Sequence, residues 1–377
     1  MPRISQAGVT LTTTHFIVFN LIIGAGISGL FFIYPRIARR GLLFGVYVGE
    51  ERWDKDEAQR IVRNWERGIV LWTLLSFAIT LTSFFEFRSQ AILPILPLLL
   101  SAGCMVLYLR AYFQARALGV AGRPPAVAVL TEPEAPSLWP FFTLVLCVIG
   151  GSVAVSYAAG HYADLPARVP THFGPSGRPD VWHPKSFWTV MLEPIMTLVM
   201  GVGLSILTFF IARAKRAVRF VPTRTSIDAQ QRFRVAVTRF FCGLAVSVTA
   251  MLSLMSIGSI RVGLGWATSL SPIVTILALC LGVGVFCGIV YLAFRYGQGG
   301  ARLERAASNA PLTDGLADNS RWVLGMFYIN RDDPSIFVER RFGFGYTINL
   351  GNWKAVALIV CFVGALLGLA LLASVMK

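Results

Sequence analysis

Long runs of apolar residues constrain the fold of this chain more than any other feature of its sequence. A helix needs about 20 mostly apolar residues to cross the ~30 Å hydrocarbon core of a membrane. Because lipid offers the backbone no hydrogen-bond partners, such segments must be helical. The predicted spans are Leu11–Tyr34, Glu66–Phe85, Ala91–Leu109, Trp139–Ala158, Phe187–Ala212, Val235–Ile257, Thr268–Phe294 and Trp353–Met376. The sequence therefore predicts an all-α integral membrane protein with about eight transmembrane helices.

The distribution of basic residues predicts the orientation of these spans. The formal charge is +15, but 55% of the residues are hydrophobic and only 14% are charged, which is typical of membrane proteins and argues against nucleic-acid binding. Of the 34 lysines and arginines, 26 lie in or beside the connections after spans one, three, five and seven, and 7 lie on the opposite side. Cytoplasmic loops are enriched in Lys and Arg. We therefore expect a multi-pass protein of the inner cell membrane with both termini outside and with the lipid bilayer as its partner.

The connection His161–Phe187 is the most distinctive polar stretch, and the predicted orientation places it outside the cell. It carries three of the four histidines and five prolines. His161, His172 and His183 are residues of a type that ligates Zn²⁺ or another transition metal. Their spacing of 11 residues matches no helical metal motif, and proline-rich loops also use histidine as an ordinary surface residue. A further hypothesis is a pH-responsive role for His172, because histidine titrates near neutral pH.

Glu193 is the sharpest signal inside the apolar runs. It lies about 9 Å below the outer end of the fifth span at 1.5 Å per residue. Exposing an ionised group to lipid costs about 2.5 kcal/mol or more, so such a residue is a functional candidate by default. The alternative is that its carboxylate forms hydrogen bonds with the loop above and holds that loop in place. His172, Asp180, Trp182 and Lys185 complete the set of predicted ligand-binding or loop-anchoring residues.

Two stretches follow patterns that no physical rule generates. In the loop the pattern comprises Leu165-Pro166, Val169-Pro170, His172-Phe173, Gly177, Asp180, Trp182 and Lys185. This core and its flanking helices, from Trp139 to about Ile211, resemble the bacterial membrane domain known as domain of unknown function 1648, which recurs in SdpI-type immunity and signalling proteins. The stretch Trp322–Asn352 resembles another uncharacterised domain, number 5808. The resemblance implies a membrane sensor or immunity-like protein and no catalytic residue.

The region before the last span is predicted to form a small β-like element on the cytoplasmic face. Trp322–Ile329 and Ser335–Glu339 are strand-like, and the residues between them have a turn composition. About thirty residues bury too small a core to fold alone, so this element should pack against membrane-proximal helices. The predicted organisation is a three-helix region (1–138), a helix pair with an outer loop at 161–187 (139–212), helices six and seven (213–297), a linker (298–321), the β-like element (322–352) and the last helix (353–377).

Three further patterns have ordinary structural explanations. Leu21–Leu30 matches the dinucleotide-binding glycine fingerprint, but no parallel sheet follows it, so small residues such as Gly24 and Ser28 more simply allow close helix packing. The six cysteines lie in apolar runs without metal-ligand spacing and are expected to be packing residues. Asp54–Arg67 is either an amphipathic helix on the inner surface or a plain extension of the second span. No cofactor is predicted.

These patterns together favour a sensor over an enzyme. We predict that the protein senses or binds an extracellular ligand, a peptide or a lipid-like molecule, in an immunity or signalling role. The alternative is a secondary transporter, which would need intramembrane polar residues in two related halves. A metal-dependent membrane enzyme is the third hypothesis, and the sequence offers no catalytic residue for it. Any cytoplasmic partner is left open.

Overall fold

Helices dominate the computed structural model, which describes residues 3–87, 92–93, 95–120, 137–174, 176–213, 224–303, 319–343 and 345–375. The helices are α1 (Arg3–Ile37), α2 (Glu50–Trp53), α3 (Asp56–Phe87), α4 (Ile95–Ala117), α5 (Trp139–Gly160), α6 (Phe187–Ala212), α7 (Arg224–Gly263), α8 (Pro272–Tyr296) and α9 (Trp353–Val375). Four antiparallel hairpins connect them: β1 (Leu42–Leu43) with β2 (Val46–Tyr47), β3 (Arg168–Phe173) with β4 (Pro179–Pro184), β5 (Trp322–Val323) with β6 (Phe327–Tyr328), and β7 (Phe337–Glu339) with β8 (Tyr346–Ile348).

The helices confirm the predicted membrane class. Within the described residues, seven are long and apolar enough to cross a membrane, namely α1 from Asn20 onward, α3, α4, α5, α6, α7 and the segment that begins with α8. The eighth predicted span falls on α9, a helix of 23 residues that is not one of the seven. Helix α3 runs without a break from Asp56 to Phe87. The stretch before the second span is therefore a plain extension of that span, and its apolar face, including Ala58 and Trp65, is buried inside the protein.

The spans pack as two groups of three helices. Helices α1, α3 and α4 form one group, and α5, α6 and α7 form the other, while α8 lies against α7 and α1. Small residues on α1 permit the close approach that the sequence predicts, since a Cβ added at Gly24 would lie 2.9 Å from the ring of Phe77. Ser28, one turn further on, accepts a hydrogen bond from Thr73 (2.9 Å). The glycine fingerprint of the first helix is thus part of a helix–helix contact.

Two ends of the bundle can be told apart by the connections they carry. The hairpin β3–β4 lies at one end, which we call the hairpin end. The hairpins β1–β2, β5–β6 and β7–β8 lie together at the other end, called the basic end because it holds most of the arginines. There Arg39 and Glu339 form an ion pair (3.1 Å) whose side chains are 0% and 6% exposed. Gln298, predicted as the start of a linker, is instead buried in a 3-10 turn and accepts a hydrogen bond from the backbone N–H of Arg39 (3.1 Å).

The predicted β-like element exists and packs against the membrane-proximal helices, but its strands differ from those predicted. A turn with positive φ at Leu324 and Gly325 divides the first predicted strand into β5 and β6. Tyr108 of α4 donates a hydrogen bond to the carbonyl of Leu324 (2.7 Å). The fully buried amide of Asn349 holds the rest of the element by donating to the carbonyls of Asn330 and Asp333 (2.9 and 3.0 Å).

The acidic turn of this element is capped by its own side chains. The Asp333 carboxylate accepts hydrogen bonds from the backbone N–H of Ser335 (3.0 Å) and from the hydroxyl of Tyr328 (3.1 Å). Burial raises the pKa of Tyr328 above its ordinary value near 10, which keeps this phenol protonated. The predicted turn is therefore present, and the Asp333 side chain caps it.

Candidate functional site

Between α5 and α6 the predicted outer loop forms the antiparallel hairpin β3–β4, which was not predicted from the sequence. Its prolines are compatible with a two-stranded sheet because both strands are edge strands. The pairing is Arg168 with Pro184, Val169 with His183, Pro170 with Trp182, His172 with Val181 and Phe173 with Pro179. The register shifts on either side of His172, so a bulge at Thr171 changes which side chains face the helices. The loop is therefore ordered, as its prolines indicate, but by a strand ladder.

The hairpin is held on the helix ends by buried apolar contacts and by one lysine. Leu165 and Val169 are buried against α5, α6 and α7. Gly263 of α7 leaves room for Leu165 and Pro170, since a Cβ there would lie 2.9 Å from Leu165 and 3.3 Å from Pro170. The ammonium of Lys185 donates hydrogen bonds to the carbonyls of Ala163 (3.1 Å) and Leu165 (2.8 Å). This lysine thus closes the base of the hairpin.

A cavity of about 460 Å³ lies beneath the hairpin, between its strands and the facing turns of α6 and α7. We call it the hairpin cavity. Apolar groups from all three elements form most of its wall, among them Val169, Trp188 and Ile260. Its polar lining consists of Thr171, His172, His183, Thr189, Glu193, Ser256 and Ser259. An apolar cavity with a few convergent polar groups has the character of a ligand-binding site.

Glu193 is the acidic residue in the wall of this cavity. Helix α6 carries it about two turns below the Ser186 cap, where the Ser186 and Thr189 side chains fix the start of the helix. Its Oε1 atom is buried and accepts no hydrogen bond from any described residue. In the loop above, Lys185 donates to backbone carbonyls and His172 to Asp180, so the predicted alternative of hydrogen bonds from these side chains to Glu193 is not seen. A buried carboxylate oxygen without a donor is unfavourable, so this geometry is suited to a ligand that brings a donor.

The three predicted metal-binding histidines do not come together. His172 donates a hydrogen bond through Nδ1 to Asp180 (2.6 Å), and His183 shares one with the hydroxyl of Thr171 (2.6 Å). His161 donates to the carbonyl of Tyr157 (2.9 Å) and does not line the cavity. In the part of the chain that the structure describes, no group of three or more His, Cys, Asp or Glu side chains is arranged to hold a metal ion.

Two further predicted site residues lie outside the cavity, whereas α7 contributes two polar lining residues that were not predicted from the sequence. Asp180 and Trp182 do not line the cavity, although their β4 neighbours Val181 and His183 do, and Trp182 is 37% exposed. Ser256 and Ser259 do line the cavity and are buried. A signal for them was present, since Thr249, Ser253, Ser256 and Ser259 recur three to four residues apart within a span and so share one helix face.

Two family models match parts of this chain, and each match includes one of the four hairpins. No curated protein and no solved structure matches the chain. Residues 331–356, which include β7, β8 and the start of α9, match the model described as a family of unknown function (DUF5808). Residues 148–198, which include the hairpin, Lys185 and Glu193, match the model described as a domain of unknown function (DUF1648).

Proposed function

We propose that this membrane protein binds a cationic amphipathic peptide through the hairpin cavity and senses or neutralises it at the outer face of the cell. The observation that carries this proposal is the buried Oε1 atom of Glu193, which accepts no hydrogen bond from any described residue and lines the cavity. An ammonium group would give this carboxylate a charge-assisted hydrogen bond, one of the stronger polar contacts in proteins.

The lining of the cavity supports the amphipathic part of the proposal. Leu165, Val169, Val190 and Ile260 offer apolar contact area beside the carboxylate. A volume of about 460 Å³ lies within the range of about 300–1,000 Å³ that is usual for ligand cavities and suits one lysine with an apolar neighbour better than a whole peptide. The hydroxyls of Ser256 and Ser259 would accept the remaining hydrogens of an ammonium.

The position of the cavity supports an external ligand. It lies at the hairpin end, opposite the end that holds most of the basic residues, and that asymmetry predicts the hairpin end to be outside. His172, which lines the cavity, and its partner Asp180 have side chains that are 65% and 50% exposed, and we call this pair the rim. A peptide that reaches the outer leaflet would meet this rim first.

Glu193→Gln tests the proposal directly. The full-length protein in lipid nanodiscs would be titrated with dodecylamine as a simple cationic amphiphile, and with dodecanol and dodecyl sulfate for comparison. We expect dodecylamine to raise the Tm of the wild type, and Glu193→Gln to weaken its binding about tenfold or more, because a hydrogen bond to a charged group contributes about 1.5–3 kcal/mol. Glu86→Gln removes an exposed carboxylate from α3 and should bind like the wild type.

A cellular assay then addresses the peptide. A deletion strain should be more sensitive to cationic membrane-active peptides, and wild-type protein should restore resistance while Glu193→Gln should not. Equal dodecylamine binding by wild type and Glu193→Gln would refute the cavity as a cation site. Equal peptide sensitivity of both strains, with amine binding intact, would redirect the proposal from peptides to small amines.

A further inference from the structure

A second pocket lies at the basic end, between α7 and α8, away from the hairpin cavity. Arg232, Arg239 and Arg295 line a pocket of about 570 Å³, which we call the arginine pocket. Arg232 and Arg239 are two turns apart on one face of α7, and Arg295 lies in the last turn of α8. Three guanidinium groups that converge on one pocket favour a phosphate group.

The arginines of this pocket are available to an anion. The pocket also contains Asp228, one turn before Arg232, which leaves a net charge of +2 among the charged side chains that line it. Among the described residues, no ion pair joins Asp228 to any of these arginines, and the contact recorded for Arg239 is with the ring of Trp139 (5.6 Å). Internal ion pairing therefore does not neutralise the pocket.

An apolar groove continues from the arginine pocket into the membrane region. Arg239 lines both, and the groove, of about 560 Å³, extends along α7 to Met251 and along α8 past Gly284. From Arg239 to Met251 the helix rises about 18 Å at 1.5 Å per residue, slightly more than the ~15 Å of one leaflet. The groove faces the surroundings of the protein. Only 6% of the residues in the most apolar segment of the α8 span are buried inside the protein, against 22–33% for the other six candidate spans.

We infer that this site binds an anionic glycerophospholipid, with its phosphate in the arginine pocket and one acyl chain in the groove. Basic pockets between transmembrane helices recognise phosphate headgroups in this way. The arginine pocket continues into an apolar groove that is about as long as one leaflet is thick. A lipid would occupy both the pocket and the groove, whereas a free phosphate ion would occupy only the arginine pocket. The inference is independent of the peptide proposal, because the two sites lie at opposite ends of the bundle.

The headgroup contact is tested by titrating purified full-length protein with phosphatidylglycerol and phosphatidylcholine and measuring bound lipid by native mass spectrometry. We expect phosphatidylglycerol to bind more tightly. Each change of Arg232 or Arg295 to Gln should weaken its binding about fivefold and the double change about thirtyfold, because each basic group contributes about that factor to anionic-lipid binding. Arg110→Gln, which removes an exposed arginine of α4 outside the pocket, should have no effect.

Two glycines of α8 provide a variant and a matched control for testing the contact with the acyl chain. A Cβ at either Gly284 or Gly282 meets no atom within 4 Å, but only Gly284 lines the groove. Gly284→Leu should therefore fill the groove and weaken phosphatidylglycerol binding, whereas Gly282→Leu should not. Equal binding by these two variants, equal loss in Arg110→Gln, or displacement of the lipid by equimolar glycerol phosphate would overturn the inference, the last in favour of a free-phosphate site.

Discussion

At the scale of single residues, Lys185 and Glu193 show how two charges close in sequence acquire different roles. The ammonium of Lys185 donates to the carbonyls of Ala163 and Leu165 and lies 4.9 Å above the ring of Tyr162. The carboxylate of Glu193 makes no comparable contact through Oε1. The lysine therefore holds the hairpin in place, whereas the glutamate has a buried oxygen without a donor, on which the proposed ligand site rests.

Lys185→Met should loosen the hairpin without changing the cavity wall. A hydrogen bond from a charged donor contributes about 1.5–3 kcal/mol, so loss of the two bonds should speed protease cleavage between residues 161 and 187. Glu193→Leu should leave the cleavage rate unchanged, because the carboxylate does not hold the hairpin. Arg178→Met, at the tip of the hairpin, controls for loss of a positive charge. Faster cleavage of Glu193→Leu than of Lys185→Met would reverse these assignments.

The sequence could identify Glu193 because the cost of a charge in lipid does not depend on the details of packing. It could not separate His172 and His183, which line the cavity, from His161, which does not. His161 lies at the end of α5, before the hairpin begins. The face on which His172 lies depends on the bulge at Thr171, because a shift of one residue in a strand moves a side chain to the opposite face. Such a shift leaves no trace in composition or spacing.

At the scale of elements, the helices were predictable and the hairpins were not. A span needs about 20 mostly apolar residues, so it can be recognised even when one or two of them are polar. The strands β1 and β2 have two residues each, which is too short for an alternating pattern. Their turn, Phe44-Gly45, has positive φ at both residues (47° and 81°), as a two-residue hairpin turn requires. The Leu324-Gly325 turn has the same property and was likewise hidden within a predicted strand.

These two turns pack against each other, and this contact can be tested at Gly45. A Cβ there would lie 2.6 Å from the carbonyl oxygen of Gly325, so Gly45→Ala should separate the two hairpins. Gly343 has nearly the same φ (82° against 81°), but a Cβ at Gly343 meets nothing within 4 Å. Gly343→Ala should cost about 1–2 kcal/mol for the left-handed backbone alone, and Gly45→Ala should cost clearly more. Thermal denaturation in detergent compares the two, and equal losses would show that the contact contributes nothing.

At the scale of the whole molecule, the basic end joins parts of the chain that are far apart in sequence. Arg39 follows α1, and its partner Glu339 lies in β7. Gly299 (φ 59°) lies against this ion pair so closely that a Cβ would overlap the Glu339 carboxylate. The first helix, the turn after α8 and the β5–β8 element are therefore parts of one buried cluster.

Two neighbouring arginines allow a buried ion pair, Arg39 with Glu339, to be compared with an exposed one, Arg40 with Asp54. Removing one partner of a buried ion pair costs about 3–5 kcal/mol, so Glu339→Gln should be strongly destabilising. The adjacent Arg40 pairs with Asp54 at 3.2 Å, but these side chains are 46% and 59% exposed. Asp54→Asn should therefore change the free energy of unfolding by about 1 kcal/mol or less. Urea denaturation of both variants in detergent gives the comparison, and similar effects would contradict the structural role of the buried pair.

The orientation of the molecule remains a prediction of its charge asymmetry, and cysteine labelling can test it. In a cysteine-free background, Ser176→Cys at the hairpin tip should react with an impermeant maleimide in intact cells. Ser308→Cys lies in the connection after α8, outside the described residues, and should react only after permeabilisation. The reason is that the connections with 26 of the 34 basic residues are expected in the cytoplasm. Labelling of Ser308→Cys in intact cells would invert the topology and place the hairpin cavity on the inner face.

The pairing of Arg39 with Glu339 also determines when the basic end can fold during synthesis. The two residues are 300 positions apart, and ribosomes add roughly 5–20 residues per second, so Glu339 is synthesised roughly 15–60 s after Arg39. The basic end can therefore close only after residue 339 has been synthesised. Chains that stop before residue 339 could insert most of their helices but could not finish this end of the fold, which makes them expected substrates for the proteases that clear incomplete membrane proteins.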